Sequence, residues 1–247
     1  MRTNAILLSL SAVAAFSAGA AHAATNLVSN GNFEQTTNGT NLQLSAVVND
    51  DPKRTTLTGW TSSNGNDGGY NFVLDSSIAN TWDSAIWLRD AGTYKASSYG
   101  DNVFASDALY HPGTLTQTIT GLTANSLYTL TFSYALGQQS GFEGANSGNY
   151  WQVGFGGNTQ NSTSLSIADG GFSGWQTATM TFTATAATQA LSFLAQTSSP
   201  GAPPFLLLDG VSLVSSVPEP ATWGMLLGGL GLLAFTARRR AQAGVSQ

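Results

Sequence analysis

Very few side chains in this sequence are of types that carry out catalysis. It contains two histidines and no cysteine. His111 precedes Pro112, and no Gly-x-Ser-x-Gly motif or thiol supplies a nucleophile for it to activate. A zinc centre ordinarily uses several His or Cys ligands, which this chain lacks. We therefore expect His111 to be a loop residue and the protein not to be an enzyme.

Glycoside hydrolysis needs two facing carboxylates, and the sequence shows no such cluster. The only glutamates before the C-terminal region are Glu34 and Glu143, which are far apart in the chain. Aspartates could still meet in space, namely Asp83, Asp90, Asp101 and Asp107. A carbohydrate-active enzyme therefore remains open as the least favoured alternative.

The segment from Asp75 to Tyr110 looks like an irregular insertion rich in aromatic residues. Sugar rings stack their C–H faces on aromatic side chains, while amides satisfy the sugar hydroxyls. We predict ligand contacts from Trp82, Trp87, Tyr94, Tyr99 and Tyr110, with Asn102, Gln138 and Gln139 as polar partners. Aromatic residues of β-sandwiches more often lie in the core, so a structural role for these rings stays open. We assign Trp60, Trp151 and Trp175 to the core.

The N-terminal residues 1–23 have the pattern of a secretory signal peptide. Arg2 is followed by an apolar run from Ala5 to Ala21, and Ala21-His22-Ala23 forms a small-x-small cleavage site. We predict cleavage after Ala23 and export of the remaining chain.

The C-terminal region has three parts with different physical properties. Pro218 and Pro220 hold the backbone around Glu219 extended, which favours a recognition tag over a helix. Residues 221–237 carry no charge and begin with Ala221-Thr222-Trp223, so we predict a short transmembrane helix there. Arg238, Arg239 and Arg240 follow and should remain cytoplasmic.

This order of tag, apolar span and arginines resembles the PEP-CTERM sorting signal of Gram-negative bacteria. The resemblance rests on Pro218, Glu219, Pro220 and Trp223 with Arg238, Arg239 and Arg240, although Gly224 departs from the usual alanine. It implies an exosortase as the processing partner, membrane anchoring before cleavage, and a final place at the cell surface or in the extracellular matrix. A plain C-terminal membrane anchor is the alternative.

The predicted mature body is acidic. It keeps four cationic residues, Lys53, Arg54, Arg89 and Lys95, against twelve acidic ones. Nucleic-acid binding needs clustered cations, so that class is excluded. The absence of cysteine also leaves this exported body without a disulfide.

Alternation of apolar and hydroxyl residues predicts half-buried β-strands in the body. It is clearest in Tyr128–Tyr134 and from Trp175 to Ala184, and Trp151, Val153 and Phe155 share one face, as do Leu191 and Phe193. Glycine-containing turns separate the strands, and no helical stripe is present. We predict an all-β fold, an antiparallel β-sandwich spanning residues 24–215 and followed by the sorting region at 216–247. A closed barrel is the less favoured alternative.

Two terminal segments resemble the ends of galactose-binding-like jelly rolls, the fold of many carbohydrate-binding modules. They are Asn26–Glu34, which we expect to open the sandwich as a strand, and Phe205–Leu213, which we expect to close it. Gly59-Trp60 and the stretch from Gln117 to Tyr128 fit the same pattern. The resemblance implies a jelly roll. It supports polysaccharide binding less than it supports the fold, because this fold also serves unrelated roles.

In those modules the terminal strands often share a structural calcium ion. The resemblance therefore implies a site at Glu34 and Asp209, completed by backbone carbonyl oxygens, and calcium accepts such a set. Otherwise Glu34 caps a turn and Asp209 accepts loop hydrogen bonds. For the protein as a whole, two classes remain, a non-catalytic polysaccharide-binding surface protein and a structural surface protein without a specific ligand.

Overall fold

The alternating segments form strands, as their period predicts. The computed structural model describes residues 25–48, 51–65, 67–198, 201–216, 224 and 227–235 of the 247-residue chain. The predicted signal peptide and the tag residues Pro218, Glu219, Pro220, Trp223, Arg238, Arg239 and Arg240 lie outside the described residues.

The strands assemble into two sheets that pack face to face as a sandwich, so the predicted fold class is confirmed. The first sheet has seven strands in the order β11 (Gln176–Thr183), β7 (Leu127–Gln138), β13 (Pro204–Ser215), β5 (Asn102–Asp107), β4 (Asn71–Asp75), β1 (Leu42–Leu44) and β2 (Arg54–Thr55). The second has six, β10 (Leu165–Ile167), β8 (Asn146–Phe155), β12 (Thr188–Thr197), β6 (Thr114–Thr120) and β3 (Thr61–Ser63), with β9 (Asn158–Asn161) paired to β8. The pairs are antiparallel except β1 with β2, which are parallel.

The space between the sheets is filled by the side chains that the alternation directs inward. Trp151 lies at its centre, fully buried between Phe104 and Phe193, with ring centroids 5.8 and 6.2 Å away. Its indole nitrogen donates to the carbonyl oxygen of Leu207 in the opposite sheet at 3.2 Å. One side chain therefore contributes both apolar packing and a hydrogen bond that joins the two layers.

A second apolar cluster lies on the outer face of the seven-stranded sheet. Three residues of the loop between β4 and β5, Ala79, Ile86 and Leu88, are buried there against strand residues such as Leu207. This loop, residues 76–101, is called the covering loop below. Because it lies over the sheet, that face is not open to solvent as an alternating strand pattern alone would suggest.

The N-terminal segment differs from the predicted opening strand. Residues 25–34 run beside β13, with the Leu27 amide donating to Leu213 O and the Val211 amide to Gly31 O, both at 2.9 Å. They do not form a regular strand, because Asn30 and Phe33 adopt φ values of 49° and 59°. The two ends of the sandwich nevertheless lie side by side, as the resemblance implied.

Two compact units divide the chain, the sandwich unit Ala24–Val217 and a unit made of Met1–Ala23 and Pro218–Gln247. In the second unit the described residues 224 and 227–235 are helical. Among the described residues, no helix is both long and apolar enough to span a membrane. The transmembrane span at 221–237 lies partly outside them and stays a prediction.

Replacing Trp151 by alanine should destabilise the sandwich severely. The change removes a fully buried indole and its hydrogen bond between the sheets, and such truncations cost about 3–5 kcal/mol. Urea unfolding followed by fluorescence and circular dichroism measures the free energy of unfolding. Trp82→Ala is the matched control, since Trp82 is 77% exposed and its loss should change stability by less than about 0.5 kcal/mol. Equal effects of the two changes would contradict the packing described here.

Candidate functional site

The covering loop is held in place by backbone hydrogen bonds as well as by its apolar side chains. The Arg89 amide donates to Gln138 O and the Ser140 amide to Trp87 O, each at 2.7 Å. Leu88 also forms an isolated bridge with Gln139 beyond the end of β7. The covering loop is therefore anchored to the sheet, and the side chains that point outward from it are held in fixed positions.

Trp82 and Trp87 both point outward from this loop. Trp82 is 77% exposed and Trp87 is 47% exposed. The Trp87 indole nitrogen donates to Asn80 O at 3.0 Å, which holds the ring relative to the loop. Neither ring pairs with another aromatic ring in the described part of the chain. Two large apolar rings on an anchored loop can stack on a flat ligand without first leaving a core.

Tyr94, in contrast, is engaged in the protein itself. Its ring packs against Phe172 with centroids 5.0 Å apart, and its hydroxyl donates to Ser76 O at 2.6 Å. Burial raises the pKa of Tyr94 to about 12. The preceding turn is capped by Asp90, which accepts the Tyr94 amide at 3.0 Å, and its pKa is lowered chiefly by that hydrogen bond. Tyr94 therefore fastens the loop to the sheet. Its ring and hydroxyl already have partners within the protein, so this geometry gives no support to the predicted ligand contact.

Of the three polar partners expected beside these rings, Gln138 and Asn102 are buried and Gln139 is half-buried. Gln138 is fully buried, with its amide nitrogen donating to Phe142 O at 2.8 Å and its amide oxygen accepting from Gly170 N at 2.9 Å. Asn102 is also buried and donates to Phe33 O at 3.0 Å. Both expectations were wrong for one reason. The sequence does not reveal that loop backbone groups, rather than a ligand, satisfy these amides.

Phe142 was missed by the sequence analysis and is 47% exposed. Its carbonyl oxygen accepts from Arg89 Nη1 at 2.9 Å, and Arg89 forms an ion pair with Asp169. The amide of Gly144 donates to Asp169 at 2.8 Å, and this bond, first among several, lowers the pKa of Asp169. Because these residues come from distant parts of the sequence, no local pattern could place Phe142 near the covering loop.

The two carboxylates singled out for calcium both accept hydrogen bonds from residues 97–102, at the other end of the covering loop. The Asn102 amide donates to Glu34 Oε1 at 2.9 Å, while the Ser97 hydroxyl donates to Asp209 Oδ2. Asp209 is fully buried and also accepts from the Gly210 amide at 2.6 Å. We call residues 97–102, with Glu34 and Asp209, the clasp, since they join the covering loop to both ends of the sandwich.

Two glycines allow this close approach. A Cβ on Gly100 would lie 2.1 Å from Glu34 Oε1, so a larger residue there would displace the Glu34 carboxylate from its present position. Gly210 has a φ of 59°, and a Cβ on it would lie 2.6 Å from the ring of Tyr99. Tyr99, which we expected to contact ligand, is 50% exposed and covers Gly210 with one side of its ring.

No cationic side chain among the described residues forms an ion pair with the carboxylates of the clasp. Burial raises the pKa of Asp209 to about 6, hydrogen bonds from Ser97 and Gly210 oppose this, and the charge of Glu34 raises it further. The ion pair of Arg89 with Asp169 lies outside the clasp, and within the described residues no three acidic or imidazole side chains cluster. An oxygen-only set of two carboxylates, the Ser97 hydroxyl and backbone carbonyls suits a hard cation and fits calcium better than zinc.

A family model describes the C-terminal region. The PEP-CTERM protein-sorting motif matches residues 216–240. The chain therefore carries this motif, as its Pro-Glu-Pro tag, apolar span and arginines predicted. No curated protein sequence matches the chain.

Solved structures similar to the chain include several carbohydrate-binding modules. One is TmCBM61 in complex with β-1,4-galactotriose, with a TM-score of 0.42 and 14% identity over 78% of this chain and 99% of that one. Another is the N-terminal CBM22-1–CBM22-2 tandem domain of Paenibacillus barcinonensis Xyn10C, with a TM-score of 0.39 and 16% identity over 82% of this chain and 49% of that one. A CBM4 structure has a TM-score of 0.32 and 17% identity over 76% of this chain and 99% of that one.

Proposed function

We propose that this protein is exported, sorted to the cell surface by an exosortase, and binds extracellular polysaccharide without catalysing a reaction. The observation that carries the binding proposal is the pair of outward-facing rings, Trp82 and Trp87, on the anchored covering loop. The sorting motif at 216–240 supports a location where polysaccharide is the surrounding medium.

The exposed rings support binding because exposure of indole to water is unfavourable. Burying a large apolar side chain stabilises a protein by about 1.5–3 kcal/mol, and the loop already buries Ile86 and Leu88 beneath it. Trp82 and Trp87 remain outside this cluster on the same loop. Stacking on a sugar would remove their apolar faces from water while leaving the indole nitrogen of Trp87 bonded to Asn80.

The acidic residues considered for catalysis support a non-catalytic role. Asp90 and Asp107 both use Oδ1 to accept loop amides, at 2.7 Å from Gly92 and from Leu109. Burial raises the pKa of Asp107, but its carboxylate lies within a turn. His111 occupies an exposed loop with φ of 44°, against the ring of Tyr110. These groups maintain the backbone of loops and leave binding as the best-supported activity.

Trp82→Ala and Trp87→Ala should each weaken polysaccharide binding by about tenfold or more, as loss of a central aromatic anchor does. Affinity electrophoresis in gels containing the producer's extracellular polysaccharide measures the change. Leu127→Ala is the matched control, because Leu127 is 46% exposed but lies on β7 outside the covering loop. If the polysaccharide retards both tryptophan variants as strongly as the wild type, the covering loop is not the binding site. If the wild-type protein also failed to bind, a structural role without a specific ligand would be favoured.

Processing should remove the tail beyond the Pro-Glu-Pro tag from the surface form of the protein. Mass spectrometry of that form should detect no peptide from Arg238 to Gln247. Glu219→Gln should block this processing while the melting temperature of the sandwich stays unchanged, because the tag follows the last strand. Glu143→Gln, a change in an exposed loop, is the control and should be processed normally. Recovery of the tail on the wild-type surface form would instead indicate a plain membrane anchor.

We also propose that the clasp holds a structural calcium ion through Glu34 and Asp209. The proposal is supported by the charge interaction between buried Asp209 and exposed Glu34 and by the glycine at position 100. A divalent cation would offset the repulsion between the carboxylates, which no described cation does. It would thereby stabilise the contact between the covering loop and both ends of the sandwich.

Calcium should raise the melting temperature more at about pH 7.5 than at about pH 5, because ligating carboxylates must be deprotonated. The folded pKa of Asp209, about 6, exceeds the ordinary 3.8. In chelator, its contribution to stability is therefore present below about pH 4 and lost as pH rises through 6. Differential scanning calorimetry with calcium and then with chelator measures both effects.

Asp209→Asn should abolish the calcium response and flatten the pH dependence in chelator. Asp107→Asn is the matched control, since Asp107 is also buried with a raised pKa but lies outside the clasp. That variant should keep the full calcium shift. An equal calcium shift in the wild type and in Asp209→Asn would exclude the clasp as the site.

A further inference from the structure

The outer face of the six-stranded sheet, here called the open face, differs from that of its partner sheet. The covering loop buries strand residues on the outer side of the seven-stranded sheet. On the open face the outward side chains remain exposed or half-buried, as in Thr116, Ser192 and Gln152. The sandwich therefore presents one broad strand surface whose side chains are accessible.

Strand register arranges the side chains of the open face in two rows across five strands. The first row follows the partners from β3 to β9 through Thr61, Thr116, Ser192, Gly154 and Thr159. The second runs beside it through the partners Ser63 and Thr114 and then through the partners Leu194, Gln152 and Asn161, with Thr114 and Leu194 lining one cavity. Neighbouring strands lie about 4.8 Å apart, so each row is about 19 Å long. The rows present hydroxyl and amide groups at regular intervals.

Several of these groups have no partner within the protein. The side chains of Thr114, Thr116, Gln152 and Ser192 make no hydrogen bond to any described residue. At the centre, Gly154 provides no side chain, and a Cβ there would lie 2.6 Å from Ser192 Oγ. The resulting shallow cavity of about 160 Å³ is lined by Thr114, Gln152, Gly154, Thr159, Ser192 and Leu194. Donors and acceptors therefore surround a groove that a ligand can enter.

An aromatic ring lies beside the rows on the same face. Tyr150 is on β8 two residues before Gln152, so both side chains point outward, and it pairs across the sheet with Gln196. The ring is half-buried, and within the described chain it makes neither a ring contact nor a hydrogen bond through its hydroxyl. A ring next to unpaired amides is the combination that recognises a sugar, with stacking on one side and hydrogen bonds along the other.

The absence of charge on this face indicates which kinds of ligand can bind there. None of the strand residues of β3, β6, β8, β9, β10 and β12 is charged, although the seven-stranded sheet includes Arg54, Asp75, Asp107 and Asp209. An anionic polymer would find no cation there, and the acidic body would repel it. A second copy of the chain is disfavoured because Leu194 is the only large aliphatic residue of the two rows, whereas stable homodimer interfaces are more apolar.

We infer that the open face is a second binding site, specific for an uncharged polysaccharide. The sugar chain lies across the strands along the two polar rows and stacks one residue on Tyr150. Thr114, Thr116, Gln152 and Ser192 bond its hydroxyl groups, and Gly154 leaves room for a ring to approach the sheet. The inference takes polysaccharide as the ligand class from the proposed function. It places the sugar on the six-stranded sheet, on the opposite side of the sandwich from the covering loop.

Affinity electrophoresis tests the inference with hydroxyethylcellulose, galactomannan, dextran and the neutral fraction of the producer's polysaccharide, and with alginate as the anionic probe. At least one neutral probe should retard the wild-type protein, and alginate should not. Tyr150→Ala should weaken that binding by about tenfold, while Tyr150→Phe should retain it because the ring remains. Thr116→Arg should weaken it at least as much by placing a bulky cation in the first row, and the binding that remains is that of the covering loop.

Thr179→Arg is the matched control, since Thr179 is an exposed strand residue of β11 in the other sheet. It should bind like the wild type, and all variants should keep the wild-type melting temperature. Loss of binding only in Trp82→Ala and Trp87→Ala would overturn the open face while the covering loop remained as the site. Loss of binding only in Tyr150→Ala and Thr116→Arg would overturn the covering loop as a site and leave the open face.

Failure of the wild type to bind any of the probes, neutral or anionic, would overturn both sites. Binding of alginate alone would overturn the open face. A dimer in sedimentation velocity that Thr116→Arg dissociates would show that a second copy occupies the face instead, and would overturn the inference as well.

Discussion

The packing of the covering loop on the seven-stranded sheet is the constraint on which the functional surfaces depend. Ile86 and Leu88 are drawn against the strands because burying them removes apolar area from water. Once they are fixed, the neighbouring Trp82 and Trp87 must face solvent. The same loop continues to Ser97 and Gly100, which it delivers to the clasp. Burial of a few aliphatic residues thus sets the exposure of the rings and the positions of the two acids.

The clasp shows why the end of the chain and its beginning must be considered together. Asp209 lies on β13 and Glu34 follows the irregular N-terminal segment, yet the charge of Glu34 acts on Asp209. A buried acid near a second carboxylate disfavours the folded state unless a proton or a cation offsets the charge, and here Asp209 is buried while Glu34 is exposed. The cost of the pair and its usefulness as an ion site have the same electrostatic origin.

Much of the sandwich could be predicted from the sequence, because strand period depends on local residue order. The alternation at Tyr128–Tyr134 and the shared face of Trp151 and Phe155 are confirmed by their burial. The opening strand was not correct, since left-handed φ values at Asn30 and Phe33 break the ladder. Trp82 and Tyr94 could not be separated by sequence, although one is exposed and the other packs on Phe172. Their difference depends on contacts with residues far along the chain.

The register of the six-stranded sheet adds a long-range property that no single strand reveals. Thr116, Gly154 and Ser192 are unremarkable in their own strands and form one row only after β6, β12 and β8 pair. That row and the rings of Trp82 and Trp87 lie on opposite sides of the sandwich, because the covering loop packs outside the other sheet. One stretch of a sugar chain cannot occupy both sites of a single molecule. Two occupied sites would therefore join separate polysaccharide segments, and the gain in attachment strength would depend on the spacing of chains in the matrix.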